Sequence, residues 1–173
     1  TYKLNDTDVY ETFGNILDGT ATPTVKNPDI KNGVFKEWKP AVSATVTANA
    51  EYVAQWYADA DDDNVADKDE AKVEFEVDGK VVKTEYLGIG ETPTAPTVTD
   101  TNDDNRVFMG WSPVVAEIKE IKPVTHVAQF EVDSDNDGKA DSSEPKWTVT
   151  YKLNETDVYE RFENILDGTA TPT

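Results

Sequence analysis

Val73-Glu74-Phe75-Glu76-Val77-Asp78-Gly79-Lys80-Val81-Val82 reads as two strands and the turn between them. Val73, Phe75 and Val77 alternate with Glu74 and Glu76, so an extended chain here has one apolar and one charged face. Asp78-Gly79 supplies two residues that tolerate positive φ, as a tight hairpin turn requires. Outward from this hairpin, residues 44–57 and 124–132 are also rich in Val, Thr and aromatics and read as strand. The Pro-Thr segments at 20–24 and 92–97 break any helix. One stretch is ambiguous: Val9, Phe13, Ile16 and Leu17 have helical spacing, with Asp6 or Thr7 as a cap and Gly19 past the end. The corresponding part of the later sequence, Lys80 to Gly90, looks like strand, and strand is the expectation for both. The fold class is therefore β-rich, either all-β or α+β.

The chain is repetitive on two scales. Residues 1–24 return as residues 150–173 with three changes, Asp6 to Glu155, Thr12 to Arg161 and Gly14 to Glu163. That identity points to tandem duplication within an array of near-identical units. A weaker repeat lies inside. Val34-Phe35-Lys36-Glu37-Trp38-Lys39-Pro40 resembles Val107-Phe108-Met109-Gly110-Trp111-Ser112-Pro113, and Val53-Ala54-Gln55-Trp56 resembles Val127-Ala128-Gln129-Phe130. The expected organisation is half A (1–58), an acidic loop (59–70), half B (71–132), a second acidic loop (133–144), and an opening segment of a further half A (145–173).

The acidic loops carry the chemistry. Each has twelve residues with carboxylates at positions one, three, five, nine and twelve, the ligand spacing of an EF-hand calcium loop. Side chains at the first, third and fifth positions converge as the loop curls. A turn at the sixth lets the seventh offer its carbonyl, and the Glu at the twelfth reaches back with two oxygens. Gly138 suits that turn, and Asn64 in the first loop is the next most tolerant residue of a left-handed backbone. The expected calcium ligands are Asp59, Asp61, Asp63, the Val65 carbonyl, Asp67 and Glu70, then Asp133, Asp135, Asp137, the Lys139 carbonyl, Asp141 and Glu144. Asp62 and Asp69 are expected to face solvent or a neighbouring domain. The bland reading of both loops is a solvated acidic linker. Two full matches 74 residues apart, at corresponding places in a repeat, favour calcium. Asp100 to Asn105 is also acidic but has no Glu at its twelfth position and reads as a solvated turn.

Composition narrows the partners. The net charge is −19, which disfavours nucleic acid and anionic membrane surfaces as partners, and no nucleic acid is expected. Ten of those charges sit in the 24 loop residues, which hold 12 of the 35 acidic and 2 of the 16 basic residues. Without a cation such loops repel themselves; two calcium ions would remove four charges. No Cys and a single His, His126, exclude thiol catalysis and Cys/His zinc sites. No apolar run approaches a membrane span, so no membrane insertion is expected. The lack of a signal peptide and of an initiating Met reads as a processed piece of a larger chain.

Each half resembles the Listeria–Bacteroides repeat, the B-repeat of internalin-type surface proteins. The matching features are an opening strand (Val149-Thr150-Tyr151 or Val73-Glu74-Phe75) and a Gly and Thr-Pro segment (Gly19 to Pro23; Gly90 to Pro96). The aromatic-Gly-Trp element Phe108-Met109-Gly110-Trp111 and a closing Ala-Gln-aromatic strand follow. Half A departs with Lys36-Glu37 where half B has Met109-Gly110. The resemblance implies small β-grasp-like modules on the outside of a bacterium, in stalks or adhesins, with no enzymatic activity.

The expected function is thus a calcium-stiffened extracellular structural repeat. The loops are flanked by strands, so they act as clips between domains, not as helix-swinging switches. The alternative is an adhesin module for a glycan or host protein. Trp38, Trp56 and Trp111 could form a sugar platform, but their place beside aliphatics in repeated strands favours core packing; Trp147 is expected at a joint, and His126 in a strand. The segment 150–173 carries Tyr151, Leu153, Val158, Phe162, Ile165 and Leu166, whose partner sequence is already served by residues 1–24. Either it makes an arbitrary contact, or it fills half A of the next molecule and builds a head-to-tail filament, the chain's partner then being itself. Calcium at the second loop would set the direction in which this tail emerges.

Overall fold

The computed structural model of the chain describes residues 1–98 and 105–173. Among these it holds ten strands, one 3-10 turn at Asp67–Asp69 and no α-helix. The fold is β-rich, and of the two forms left open by the sequence the described residues show the all-β one. The strands are β1 (Tyr2–Lys3), β2 (Val9–Glu11), β3 (Gly33–Lys39), β4 (Tyr52–Ala58), β5 (Ala71–Val77), β6 (Lys80–Leu87), β7 (Arg106–Ser112), β8 (Val124–Val132), β9 (Lys146–Lys152) and β10 (Val158–Leu166). No helix among the described residues is long and apolar enough to cross a membrane.

The two halves repeat one sheet order. Half A is β2-β1-β4-β3 and half B is β6-β5-β8-β7, while β9 and β10 form a separate hairpin. In half A, β1 runs parallel to β4 and antiparallel to β2, and β3 is antiparallel to β4. The quoted hairpin is as expected: Val73 and Phe75 are fully buried, and Asp78 and Gly79 have φ of 51° and 73°.

Clustering divides the chain into two compact units: Thr1–Val73 with Thr84–Pro93 and Glu117–Val124, and Glu74–Lys83 with Thr94–Ala116 and Thr125–Thr173. The first contains half A and the first loop. The second contains the second loop and the 145–173 segment.

The aromatic motif owes its spacing to a bulge. Side chains alternate along a strand, so Phe35 and Trp38, three residues apart, would point to opposite faces. The register of β3 against β4 shifts between Phe35 and Glu37, and that of β7 against β8 between Phe108 and Gly110. One extra residue restores a common face. The Phe35 and Trp38 rings then lie 5.3 Å apart and those of Phe108 and Trp111 5.5 Å. Gly110 takes φ 128°, which only Gly adopts readily. Half A makes the same bulge without a left-handed residue, which is why Lys36-Glu37 is tolerated there.

Each core grows from that pair. In half A, Tyr2 meets Trp38 at 4.9 Å and Tyr52 at 5.1 Å, and Phe35 meets Trp56 at 5.9 Å. In half B, Phe75 meets Trp111 at 4.9 Å and His126 at 5.1 Å, and Phe108 meets Phe130 at 5.8 Å. His126 stands where half A has Tyr52. It is buried, and its Nδ1 lies 2.7 Å from the Pro113 carbonyl, so it is a core residue with its polar atom partnered. Trp38, Trp56 and Trp111 all belong to these ring clusters, as expected.

Two strand expectations need correction. Residues 44–51 do not form a strand; only a bridge from Thr45 to Ala21 occurs there, and β4 begins at Tyr52. Val9 is in strand, but Phe13, Ile16 and Leu17 in half A lie in neither helix nor strand, and Leu17 is 75 % exposed. Apart from Asn105, the acidic stretch beginning at Asp100 lies outside the described residues.

Candidate metal centre

Both loops wrap around the carboxylate of their first residue. Asp59 is buried; its Oδ1 accepts from the N–H groups of Asp62 (2.8 Å) and Asp63 (3.2 Å), and its Oδ2 from Asn64 (3.0 Å). Asp133 is buried likewise, its Oδ1 accepting from Asp137 (3.1 Å) and its Oδ2 from Gly138 (2.9 Å). The sixth residue is left-handed in both, Asn64 at φ 72° and Gly138 at φ 87°. The fourth is too, with Asp62 at 66° and Asn136 at 57°. An Asp, Asn or Gly at these four positions meets the backbone demand with little strain.

The fifth and ninth carboxylates close the curl. Asp63 Oδ1 accepts the Val65 N–H at 2.6 Å, and Asp137 Oδ1 the Lys139 N–H at 2.8 Å. Asp67 Oδ1 accepts from Ala60 at 2.7 Å, and Asp141 accepts the backbone and hydroxyl of Ser134 at 2.8 and 2.7 Å. The Ser134 backbone bond also holds the Asp141 carboxyl below its ordinary range. Ala66 and Ala140, the eighth residues, are buried and accept the N–H groups of Asp69 and Ser143. Two sequences with few identities outside the acidic positions thus make one loop.

The result is two acidic triads. Oxygens of Asp59, Asp61 and Asp63 lie within 4.8 Å of one another, as do oxygens of Asp133, Asp135 and Asp137. Each cluster could hold a metal ion. The twelfth residues are the telling ones. Glu70 and Glu144 are only 6 % and 8 % exposed. Glu70 Oε2 and both carboxylate oxygens of Glu144 are buried without a hydrogen-bond partner, as is Asp135 Oδ1. A buried carboxylate with no donor is costly. Burial first, then the charges of Asp63, Asp61, Asp67 and Asp59, raise the Glu70 pKa from 4.5 to about 7. Burial, then Asp137 and Asp135, raise Glu144 as well, and burial with Asp63 raises Asp61. Neither Glu belongs to the cluster of its loop, but each feels the charge of that cluster, and a cation there would relieve it.

The loops differ at the seventh residue. Lys139 Nζ reaches Asp137 Oδ2 at 2.5 Å and lies 3.9 Å from Glu144 Oε1, and it holds the Asp137 carboxyl down. Val65 brings no charge to the first loop; there the Lys68 ammonium sits 4.4 Å from the Tyr57 ring centroid and pairs with Asp69. The second loop therefore brings a counter-charge to a carboxylate of its triad, whereas the lysine of the first loop pairs with Asp69, outside the triad.

Two participants were not evident in the sequence. Asn32, at φ 59°, donates its amide to the Asp59 and Ala60 carbonyls at 3.2 and 3.1 Å, and its N–H to Asp62 Oδ1 at 2.8 Å. Asp62 is exposed, as expected, and also ties the loop to the turn before β3 by accepting the Asn32 N–H. Asn105, at φ 48°, does the same before β7: its carbonyl accepts the Asp133 N–H at 2.9 Å and its Oδ1 the Asn136 amide at 3.0 Å. Each Asn stands two residues before the Val-Phe of the aromatic motif, a regularity visible in the sequence.

Comparison with protein-family models, with curated proteins and with solved structures gives no match. The resemblance to the B-repeat rests on the motifs quoted for it.

Proposed function

We propose that this chain is a calcium-binding, non-enzymatic structural repeat of a bacterial surface protein, built of modules similar to the Listeria–Bacteroides repeat and working outside the cell. The observation that carries the reading is the pair of acidic triads, each coupled to a buried glutamate with at least one oxygen that accepts no hydrogen bond. Calcium suits them better than magnesium. It takes six to eight oxygens in flexible geometry, whereas magnesium demands a near-ideal octahedron and keeps its waters. The full ligand set is the one expected above, positions one, three, five and twelve by side chain, seven by carbonyl and nine directly or through water. Extracellular sites of this kind bind at about 10⁻⁴–10⁻³ M.

Calcium then acts as a mechanical clip. The first loop joins β4 to β5 and the second joins β8 to β9. Neutralising clustered carboxylates converts each loop from a self-repelling linker into a fixed joint. Through the repeated 145–173 segment the chain associates head to tail into fibres. Sedimentation velocity and light scattering, first in EDTA and then in millimolar calcium, test this. Compaction or growth with calcium, reversed by EDTA, supports the reading; indifference to calcium contradicts it.

A further inference from the structure

We infer that Asn32 and Asn105 are positioning residues of the two cation sites, and that each ion is thereby coupled to the paired strands that precede its loop. This rests on the calcium reading above and specifies what the ion is fastened to. The strand registers put the two asparagines in one place. Gly33 opposes Ala58 at the end of the β3–β4 ladder, and Arg106 opposes Val132 at the end of β7–β8. One rung further, Asn32 meets Asp59 and Asn105 meets Asp133. The Asn32 carbonyl accepts the Asp59 N–H at 3.3 Å, and the Asn105 carbonyl accepts the Asp133 N–H at 2.9 Å. The first carboxylate residue of each loop is thus an added rung of its ladder.

Both asparagines also grip the fourth loop residue, by different chemistry. The Asn32 N–H donates to Asp62 Oδ1 at 2.8 Å, whereas the Asn136 amide donates to Asn105 Oδ1 at 3.0 Å. With the first and fourth residues fixed, the chain has to curl between them. The buried Asp59 and Asp133 carboxylates then gather the N–H groups of the fifth and sixth residues. That curl brings the three carboxylates of each triad within 4.8 Å. In the first loop the Asn32 amide adds bonds to the Asp59 and Ala60 carbonyls, at 3.2 and 3.1 Å. The turn into each strand is left-handed, at φ 59° and 48°, and Asn combines tolerance of that backbone with a side chain that both donates and accepts.

Neither asparagine needs to touch the ion. They act through the loop backbone, as the outer partners of a metal site orient its ligands. Each loop is tied to the same strands again later in its course. The Asp141 N–H donates to the Val132 carbonyl at 2.8 Å, and the Lys68 ammonium lies 4.4 Å from the Tyr57 ring centroid. Coupling is reciprocal: an ion that needs the ladder end in place stabilises that end.

Glu144→Gln isolates the first site for the test. In that background Asn32→Gly keeps the left-handed backbone and deletes the amide, and calcium affinity by calorimetry should fall about tenfold. Tyr2→Phe deletes a half-A hydrogen bond outside the loop, from Tyr2 to the Pro23 carbonyl, and should leave affinity unchanged. Urea melts establish that both variants are folded where they are titrated. Hydrogen exchange reads the coupling. With calcium at about ten times the dissociation constant, amides of Gly33–Lys39 should exchange about tenfold more slowly than in EDTA, and Asn32→Gly should lose most of that protection. Asn105→Gly in Glu70→Gln is the mirror test, with protection expected over Arg106–Ser112. Unchanged affinity in Asn32→Gly, an equal loss in Tyr2→Phe, or protection confined to the loop would overturn the positioning role and leave calcium binding standing. A wild-type chain that binds no calcium would refute the calcium reading itself, and the coupling with it.

Discussion

Replacing Glu70 by Gln should stabilise the calcium-free protein and cost it the first calcium site. One Glu70 oxygen has no donor, and burial first, then four aspartates, raise the pKa of that carboxyl from 4.5 to about 7. That rise corresponds to roughly 3 kcal/mol against the ionised carboxylate above pH 7. Solvent around the exposed loop carboxylates screens part of it, leaving about 1–2 kcal/mol. The sign follows from linkage. The folded state holds the proton more tightly, so the penalty is full above pH 7 and disappears as pH falls to the unfolded value near 4.5. Gln keeps the shape and removes the charge. Urea melts in EDTA at pH 8, followed by Trp fluorescence, should show Glu70→Gln more stable by that amount, with the gain shrinking toward pH 5. In calcium the order should reverse, because the twelfth residue no longer supplies a charged bidentate ligand. Equal or lower stability of the variant in EDTA at pH 8 would refute the claim that Glu70 is a strained, cation-seeking carboxylate.

Further outcomes follow from the same geometry. Calcium uptake at the first loop should weaken as pH falls through 7, releasing roughly 0.8 proton from Glu70 per ion at pH 6.5; titrations in buffers of different ionisation enthalpy measure this. Lys139→Ala should strengthen the second site about three- to fivefold by removing an ammonium that competes for Asp137 and Glu144, readable by calorimetry. Asn32→Ala should lower stability by about 1–2 kcal/mol, since two amide hydrogen bonds are lost and φ 59° suits Ala poorly; thermal melts in calcium test it.

Much of this protein was legible where side-chain pattern and backbone demand coincide. The Val73–Val77 alternation and the Asp78-Gly79 turn each specify one local geometry, and both occur. The acidic positions of the loops gave the triads directly, because ligand spacing and chain curl are the same fact. The helical spacing of Val9, Phe13, Ile16 and Leu17 is coincidental: the strand expected there occurs over Val158–Leu166 and Lys80–Leu87, but at Phe13, Ile16 and Leu17 no strand forms. Residues 44–51 have strand composition, but Thr45 and Val46 meet residues 19–21 instead of a ladder. The bulge was hidden in the three-residue spacing of Phe35 and Trp38, which alternation alone places on opposite faces. Asn32 and Asn105 share a place two residues before the Val-Phe motif, but their role depends on partners about 30 residues away, which that regularity does not name.

The central claim is that two built cation sites lie in one chain. Calorimetric titration of the chelator-treated protein with calcium, at pH 8 and in parallel with magnesium, measures it most directly. Two calcium ions per chain should bind in the sub-millimolar to millimolar range, one lost in Glu70→Gln and the other in Glu144→Gln, with magnesium weaker at both. No heat of binding at millimolar calcium, or binding indifferent to both substitutions, would contradict it.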